Sequence, residues 1–192
     1  MLKQKGFTLI EIVGVMAVIA ILAAMATPRI FDAIEDAKAT SVVQQVNTLK
    51  TTVADFYSDT GLWPNHIPSY SGDGYHQLMV NANTSGNPLS GWDGPYLDQE
   101  LTNPVSNGGY VRVLATNHAS YACDLDGNGS QDGQFIIYRL DGVSDGIAEK
   151  ISEKLDKDSS VTTGDGDWKK AGRVKRYAGT STSILLICLA RI

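Results

Sequence analysis

Two groups of residues in this 192-residue chain have the types and spacing for chemistry. The first centres on one carboxylate. From Phe7 to Ala26, 20 residues carry a single charged side chain, Glu11. A carboxylate inside an apolar run of that length costs about 2.5–3.5 kcal/mol on insertion scales, so it marks a functional position that needs a partner. A cut between Gly6 and Phe7 would create an amino group four residues before Glu11. That cation, from the same chain or from a neighbouring one, is the partner within reach.

The second group is Asp124, Asp126, Asn128, Ser130 and Asp132, with oxygen-bearing side chains at every second position and glycines between. Calcium takes about six to eight hard oxygen ligands on a tightly curved loop, and this spacing supplies several. Gly129 stands where such a loop turns, but Phe135 stands where the bidentate Glu of an EF-hand would be. A calcium loop here must therefore borrow a ligand, and Asp141 and Asp145 are the candidates. A solvated Asp/Gly turn between strands fits the same residues. Gly164-Asp165-Gly166-Asp167 is a second acidic stretch, for which loop solvation is the simpler reading. His66, His76 and His118 are scattered and form no ligand pair, so surface placement is expected. Cys123 and Cys188 are the only thiols, which allows at most one intramolecular disulfide and excludes a zinc site of cysteines alone. No nucleophile elbow, phosphate loop, metalloprotease motif or haem-attachment pair is present, so the chain reads as a non-enzyme.

The elements that must position these residues begin with a basic leader. Lys3 and Lys5 precede the apolar run, and the run as a helix would span about 30 Å, the thickness of a bilayer core. The preceding lysines keep the amino end cytoplasmic. An ordinary secretory signal shares the basic start and the apolar core. It differs in having its small cleavage-site residue after the core, whereas Gly6 precedes it here and Glu11 lies inside it.

Lys5-Gly6-Phe7-Thr8-Leu9-Ile10-Glu11 resembles the class III signal of type IV pilins and the related pseudopilins. The resemblance implies cleavage by prepilin peptidase between Gly6 and Phe7, and N-methylation of Phe7. It implies that Glu11 pairs with a neighbour's terminal amine during assembly, and that Pro28 lies where the family's long helix kinks or melts in filaments. A kink at Pro28 is also expected because proline removes a backbone donor and clashes with the preceding turn.

Beyond Ile30 the pattern turns periodic, with Ile34, Val42, Val46, Leu49, Val53 and Phe56 along one helical face. The spacing predicts an amphipathic helix that covers a sheet and stops near Thr60-Gly61. Two helices broken at Pro28 is the alternative. Tyr57 to Pro64 and Trp92-Asp93-Gly94-Pro95-Tyr96-Leu97 also resemble the family, and the second segment resembles major pseudopilins. Loop packing is the simpler reading of Trp92 to Leu97. A short helix is expected at Tyr75 to Asn81, with Leu78 and Met79 inward. Strands are expected at 109–114, 134–140, 173–177 and 182–190, and a helix at Ser144 to Leu155. Four strands over one long helix make an α+β fold, which agrees with the pilin fold and its four-stranded antiparallel sheet that the resemblance implies.

The expected organisation is a cleaved leader at 1–6, a transmembrane or filament-core helix at 7–28, its amphipathic continuation at 29–60, and an α+β head at 61–192. Pilins often close a C-terminal region with one disulfide, and Cys123 with Cys188 fits that implication; two buried free thiols is the alternative. The expected function is a structural subunit of a type IV pilus. Its expected partners are copies of itself, prepilin peptidase, the assembly platform and the inner membrane. The head is expected in the periplasm and then outside the cell. The alternatives are a pseudopilin of type II secretion and a membrane-anchored calcium-dependent binding module that never polymerises. The 16 Lys+Arg against 21 Asp+Glu give a formal net charge of −5, which argues against a nucleic-acid partner. Removal of Lys3 and Lys5 with the leader would take that charge to −7.

Overall fold

The computed structural model describes residues 6–65, 77–83, 85–106, 111–116, 123–125, 133–157, 172–178 and 183–192. The first element is a 52-residue helix, α1 (Leu9–Thr60), and it is continuous through Pro28. Two helices broken at Pro28 therefore do not form. Pro28 offers no N–H to the carbonyl of Ala24. One residue earlier, the Thr27 hydroxyl donates to the Ala23 carbonyl at 2.7 Å. Gly61 ends the helix with φ +66°, a backbone that glycine adopts without strain.

The chain divides into two compact units, Met1–Ala37 and Lys38–Ile192. The second holds a four-stranded antiparallel sheet in the order β1-β2-β4-β3. Its strands are β1 (Val111–Thr116), β2 (Phe135–Asp141), β3 (Val174–Ala178) and β4 (Ser183–Arg191), and α2 (Asp145–Asp156) lies between β2 and β3 in sequence. Each strand falls within two residues of its predicted place. The residues of Tyr75 to Asn81 that are described, 77–81, form turns and bends rather than the expected helix. Leu78 is buried as expected, but Gln77 beside it is buried too, and Met79 is only half-buried.

The sheet explains why β2 and β4 are apolar runs rather than alternating ones. Ile136, Tyr138, Leu140, Leu185, Ile187 and Leu189 join Val42, Val46, Leu49, Val53 and Phe56 of α1 in the main core. Phe135, Ile137, Leu186 and Cys188 point the other way and pack with Cys123. Both faces of the two central strands are thus covered, so neither face can be polar. Ile34 was expected in the helix stripe, but it is 46% exposed; the buried stripe begins at Ala39.

Candidate processing and assembly site

Gly6, Phe7 and Thr8 precede α1 in non-helical backbone. The helix starts at Leu9 because Thr8 and Glu11 cap it. The Glu11 carboxylate oxygen Oε2 accepts from the Thr8 amide at 2.7 Å and from the Thr8 hydroxyl at 2.8 Å. The Glu11 amide donates back to Thr8 Oγ1 at 3.4 Å. A helix start leaves its first amides without intrahelical partners, and this reciprocal arrangement of Thr and Glu three residues apart is a capping box. The pattern Thr-x-x-Glu was legible in the sequence, but its meaning was masked by the apolar run around it. Thr8 is the site residue that sequence reasoning passed over.

From this cap onward the large apolar side chains find no cover in their own chain. Their exposure runs from 83% at Phe7 to 49% at Ile12, and Val15, Met16, Val18, Ile19, Ile21, Leu22 and Met25 lie between. This part of α1 is long and apolar enough to cross a membrane, by length and composition. An apolar surface of this extent on a protein marks a membrane or protein contact. Gly6, Phe7 and Glu11 thus sit at one end of an oily helix surface. Pro28 lies further along the same helix, well away from them in sequence.

The other predicted site residues lie in the second unit. Cys123 and Cys188 form a disulfide with Cα atoms 6.4 Å apart, and both are buried on the outer face of the sheet. Asp124 is 2% exposed, and its carbonyl accepts from the Gly172 amide at 2.8 Å. Asp126, Asn128, Ser130 and Asp132 lie outside the described residues, as do Asp165, Asp167 and the three histidines. The two carboxylates expected to lend a ligand each meet an arginine. Asp141 receives Nε and Nη2 of Arg139 on its two oxygens at 2.7 and 2.9 Å. Asp145 pairs with Arg176. Among the described residues, no group of three or more His, Cys, Asp or Glu side chains could hold a metal ion.

Trp92 to Tyr96 packs as a loop, as the simpler reading held. Trp92 Nε1 donates to the Gln77 carbonyl at 3.0 Å, and the Tyr96 hydroxyl donates to Asp59 near the end of α1 at 2.8 Å. The two rings meet edge-on, with centroids 5.7 Å apart. Desolvation, with the neighbouring Asp59 and Asp93 carboxylates, raises the Tyr96 phenol above its ordinary value. Deeper in the core, the Tyr138 hydroxyl donates to Gln45 Oε1, and Gln45 Nε2 donates to the Thr102 carbonyl at 3.2 Å. Burial pushes the Tyr138 phenol well up. Gln45 was read as a residue of the polar face of the helix; it instead ties the sheet and the 97–106 segment to α1. Lys38 adds to that tie by donating to the Val105 carbonyl at 3.4 Å.

Residues 1–27 match the family model described as the prokaryotic N-terminal methylation motif. The chain is similar to fimbrial protein EcpC of Eikenella corrodens, with 44% identity over 66 residues, 33% of this chain and 43% of the relative. It is similar to type IV major pilin protein PilE1 of Neisseria gonorrhoeae, with 38% identity over 66 residues, 34% of this chain and 31% of the relative. Fimbrial protein EcpB of Eikenella corrodens is 42% identical over 72 residues, 38% of this chain and 45% of that protein. The chain thus spans less than half the length of the curated relatives it matches. No solved structure matches it. Residues 1–27 thus carry the prokaryotic N-terminal methylation motif, the chain is similar to type IV pilins and fimbrial proteins over about a third of its length, and its long helix on a four-stranded antiparallel sheet is the α+β arrangement expected of a pilin.

Proposed function

We propose that this protein is a structural, non-catalytic subunit of a type IV pilus. It inserts in the inner membrane through Phe7 to Ala26, with the head in the periplasm. Prepilin peptidase removes residues 1–6 by cutting between Gly6 and Phe7, and Phe7 is N-methylated. Subunits then pack through the first half of α1, around Pro28 as elsewhere, and leave the membrane on the assembly platform. Glu11 sets the register by pairing with the Phe7 amine of a neighbour.

The single observation that carries this reading is the helix half that buries nothing in its own chain while presenting one carboxylate at its start. An apolar surface of that size needs a bilayer or other apolar surfaces, and a filament of copies supplies the second without water. The pilin and fimbrial names of the relatives support a surface fibre over a secretion pseudopilus or a lone anchor. Electron microscopy of sheared surface material, with mass spectrometry of the filaments, tests it. Filaments of this chain lacking residues 1–6 are expected; a membrane-bound monomer retaining them would overturn the reading. Glu11→Ala is expected to abolish filaments, and normal assembly would remove the pairing role.

Calcium at the 124–132 loop is a separate reading that rests on the oxygen spacing of Asp124, Asp126, Asn128, Ser130 and Asp132. Titration calorimetry with millimolar calcium tests it; no heat and no thermal shift would end it.

A further inference from the structure

We infer that the cavity lined by Arg173 and Arg191, on the outer face of the sheet, is a binding site for one oxyanion, a phosphate or carboxylate group, carried on a short apolar stem. This does not depend on how the chain assembles. The cavity holds about 120 Å³. A site for a drug-sized ligand holds roughly 300–1,000 Å³, so this one takes a single group. Its apolar lining includes Leu125, Phe135 and Cys188 of the disulfide, and its charged lining is the two arginines.

Arg191 reaches that face through an irregularity in β4. Ile137 pairs with Cys188 and Ile136 with Ala190, so Leu189 is an extra residue without a partner across the ladder. Cys188 packs on the outer face, whereas Leu189 and Ala190 both meet the main core. Strict alternation would send Arg191 to the core side with Leu189. The bulge resets the alternation, and Arg191 stands opposite Phe135, whose side chain is on the outer face. A bulge is one of the devices by which a strand re-aims a side chain. Arg173 is placed from the β3 side of β4. Its carbonyl accepts from the Cys188 amide at 2.9 Å. Asp156 Oδ2 accepts from the amides of Arg173 and Val174 at 2.8 and 2.9 Å, which fixes the backbone there.

Both arginines are exposed, and among the described residues no ion pair holds either guanidinium. Arg139 and Arg176 are instead matched to Asp141 and Asp145. The Arg173 charge is felt nearby, since after burial it is what lowers Lys50. Two like charges lining one cavity repel each other, and an oxyanion relieves that repulsion. The guanidinium fork matches the oxygens of carboxylate or phosphate two at a time. The whole chain carries −5, so its overall field does not collect anions and the attraction must be local. The apolar lining beside the charges favours a short stem over a bare ion.

The test uses the full chain in detergent at constant ionic strength. Wild type, Arg173→Gln, Arg191→Gln and Lys154→Gln are compared by thermal unfolding with propyl phosphate, butyrate or inorganic phosphate. Propyl phosphate or butyrate should raise the wild-type Tm by about 3–6 °C at about ten times its Kd. The stronger of the two tells a phosphate site from a carboxylate site. Inorganic phosphate has no stem and should do less. Each arginine variant changes an exposed side chain, so without probe it should unfold at the wild-type temperature, and with probe it should lose the shift. Lys154→Gln removes an exposed charge on α2 and should keep the shift. Arg191→Lys keeps the charge but loses the fork, and titration calorimetry should find its Kd raised about tenfold.

No shift with either stemmed probe, the wild-type shift in both glutamine variants, or an equal loss in Lys154→Gln would each overturn the site. Inorganic phosphate acting as strongly as the stemmed probes would overturn the apolar stem.

Discussion

The two halves of α1 carry apolar side chains of the same kind and use them in opposite ways. Before Ala37 the apolar residues lie all round the helix and are exposed; after Lys38 they keep to one stripe, Ala39, Val42, Val46, Leu49, Val53 and Phe56, and are buried. The backbone is helical in both, with one donor missing at Pro28. The difference is where the polar residues stand. Gln44, Asn47, Thr48, Thr51 and Asp55 give the second half a wet side, so its dry side can meet a sheet. Between Ile12 and Ala26 the first half has no charged residue, so no arrangement with one small head could cover it. An apolar stripe is a folding instruction, whereas an apolar cylinder is an instruction to find a bilayer or copies of itself.

The largest effect expected of this contrast is in the core. Phe56→Ala should cost about 3–5 kcal/mol of head stability, because Phe56 is fully buried and leaves a cavity. Ile19→Ala, at a side chain 58% exposed, should change the same unfolding transition by less than about 0.5 kcal/mol. Urea unfolding of the detergent-solubilised chain measures both. Equal effects would break the comparison.

Next comes the disulfide. Its cysteines are 65 residues apart, and replacing both by Ala should lower head stability by about 4 kcal/mol in the chain-entropy model. The first half of α1, with no such bridge, should keep its helical signal when the disulfide is reduced. Circular dichroism with and without reductant checks this, and loss of the whole helix on reduction would contradict it.

Glycines sharpen the contrast on a smaller scale. A Cβ at Gly91 would lie 2.2 Å from the Asp59 carbonyl oxygen, and its φ of +78° disfavours any L side chain. Gly91→Ala should therefore cost about 1–3 kcal/mol. Gly14, in the exposed half, has nothing within 4 Å of the same added atom. Gly14→Ala should leave head stability unchanged in detergent, and thermal unfolding of the two variants tests the pair.

The smallest effect is in the titration of the core. Burial raises the Tyr138 phenol above its ordinary 10.0, so the folded state keeps the proton when the unfolded state has lost it. That stabilisation is complete below pH 10 and is lost as pH rises above it. Lys50 runs the other way: burial first, and then the Arg173 charge, lower it from 10.5. Just below that value the unfolded chain holds more protons, so its contribution rises with pH. Tyr138→Phe should cost about 1 kcal/mol near neutrality by losing the bond to Gln45. It should also flatten the alkaline loss of stability, which urea midpoints between pH 9 and 11 would measure. An unchanged slope would remove Tyr138 from the account.

Much of the fold was legible because its signals are local. The end of α1 at Gly61 follows from one glycine, and the helix from Asp145 follows from the spacing of Ile147, Ile151 and Leu155. The strand at 109–114 followed from alternation, and those at 134–140 and 182–190 from short apolar runs. The turn at 77–79 was misread because Leu78 and Met79 look like a helix face, while its conformation is set by partners far away in sequence. The Leu78 carbonyl accepts from the amides of Tyr96 and Leu97, at 2.8 and 3.2 Å. Gln45 was misread for the same reason, since its partners, Tyr138 and Thr102, are more than fifty residues away.

By itself, the sequence determined that the chain has an oily helix with one carboxylate, a basic start before Gly6 and an α+β head, because hydrophobic periodicity and single charges need no partner to be read. Tertiary structure decided which apolar residues are buried, drawing the line at Ala39 and leaving Ile34 outside. It decided that Cys123 meets Cys188, and that Asp141 and Asp145 each meet an arginine. Those outcomes depend on which strands become neighbours, and pairing at long range is a property of the whole packed sheet rather than of any segment in it.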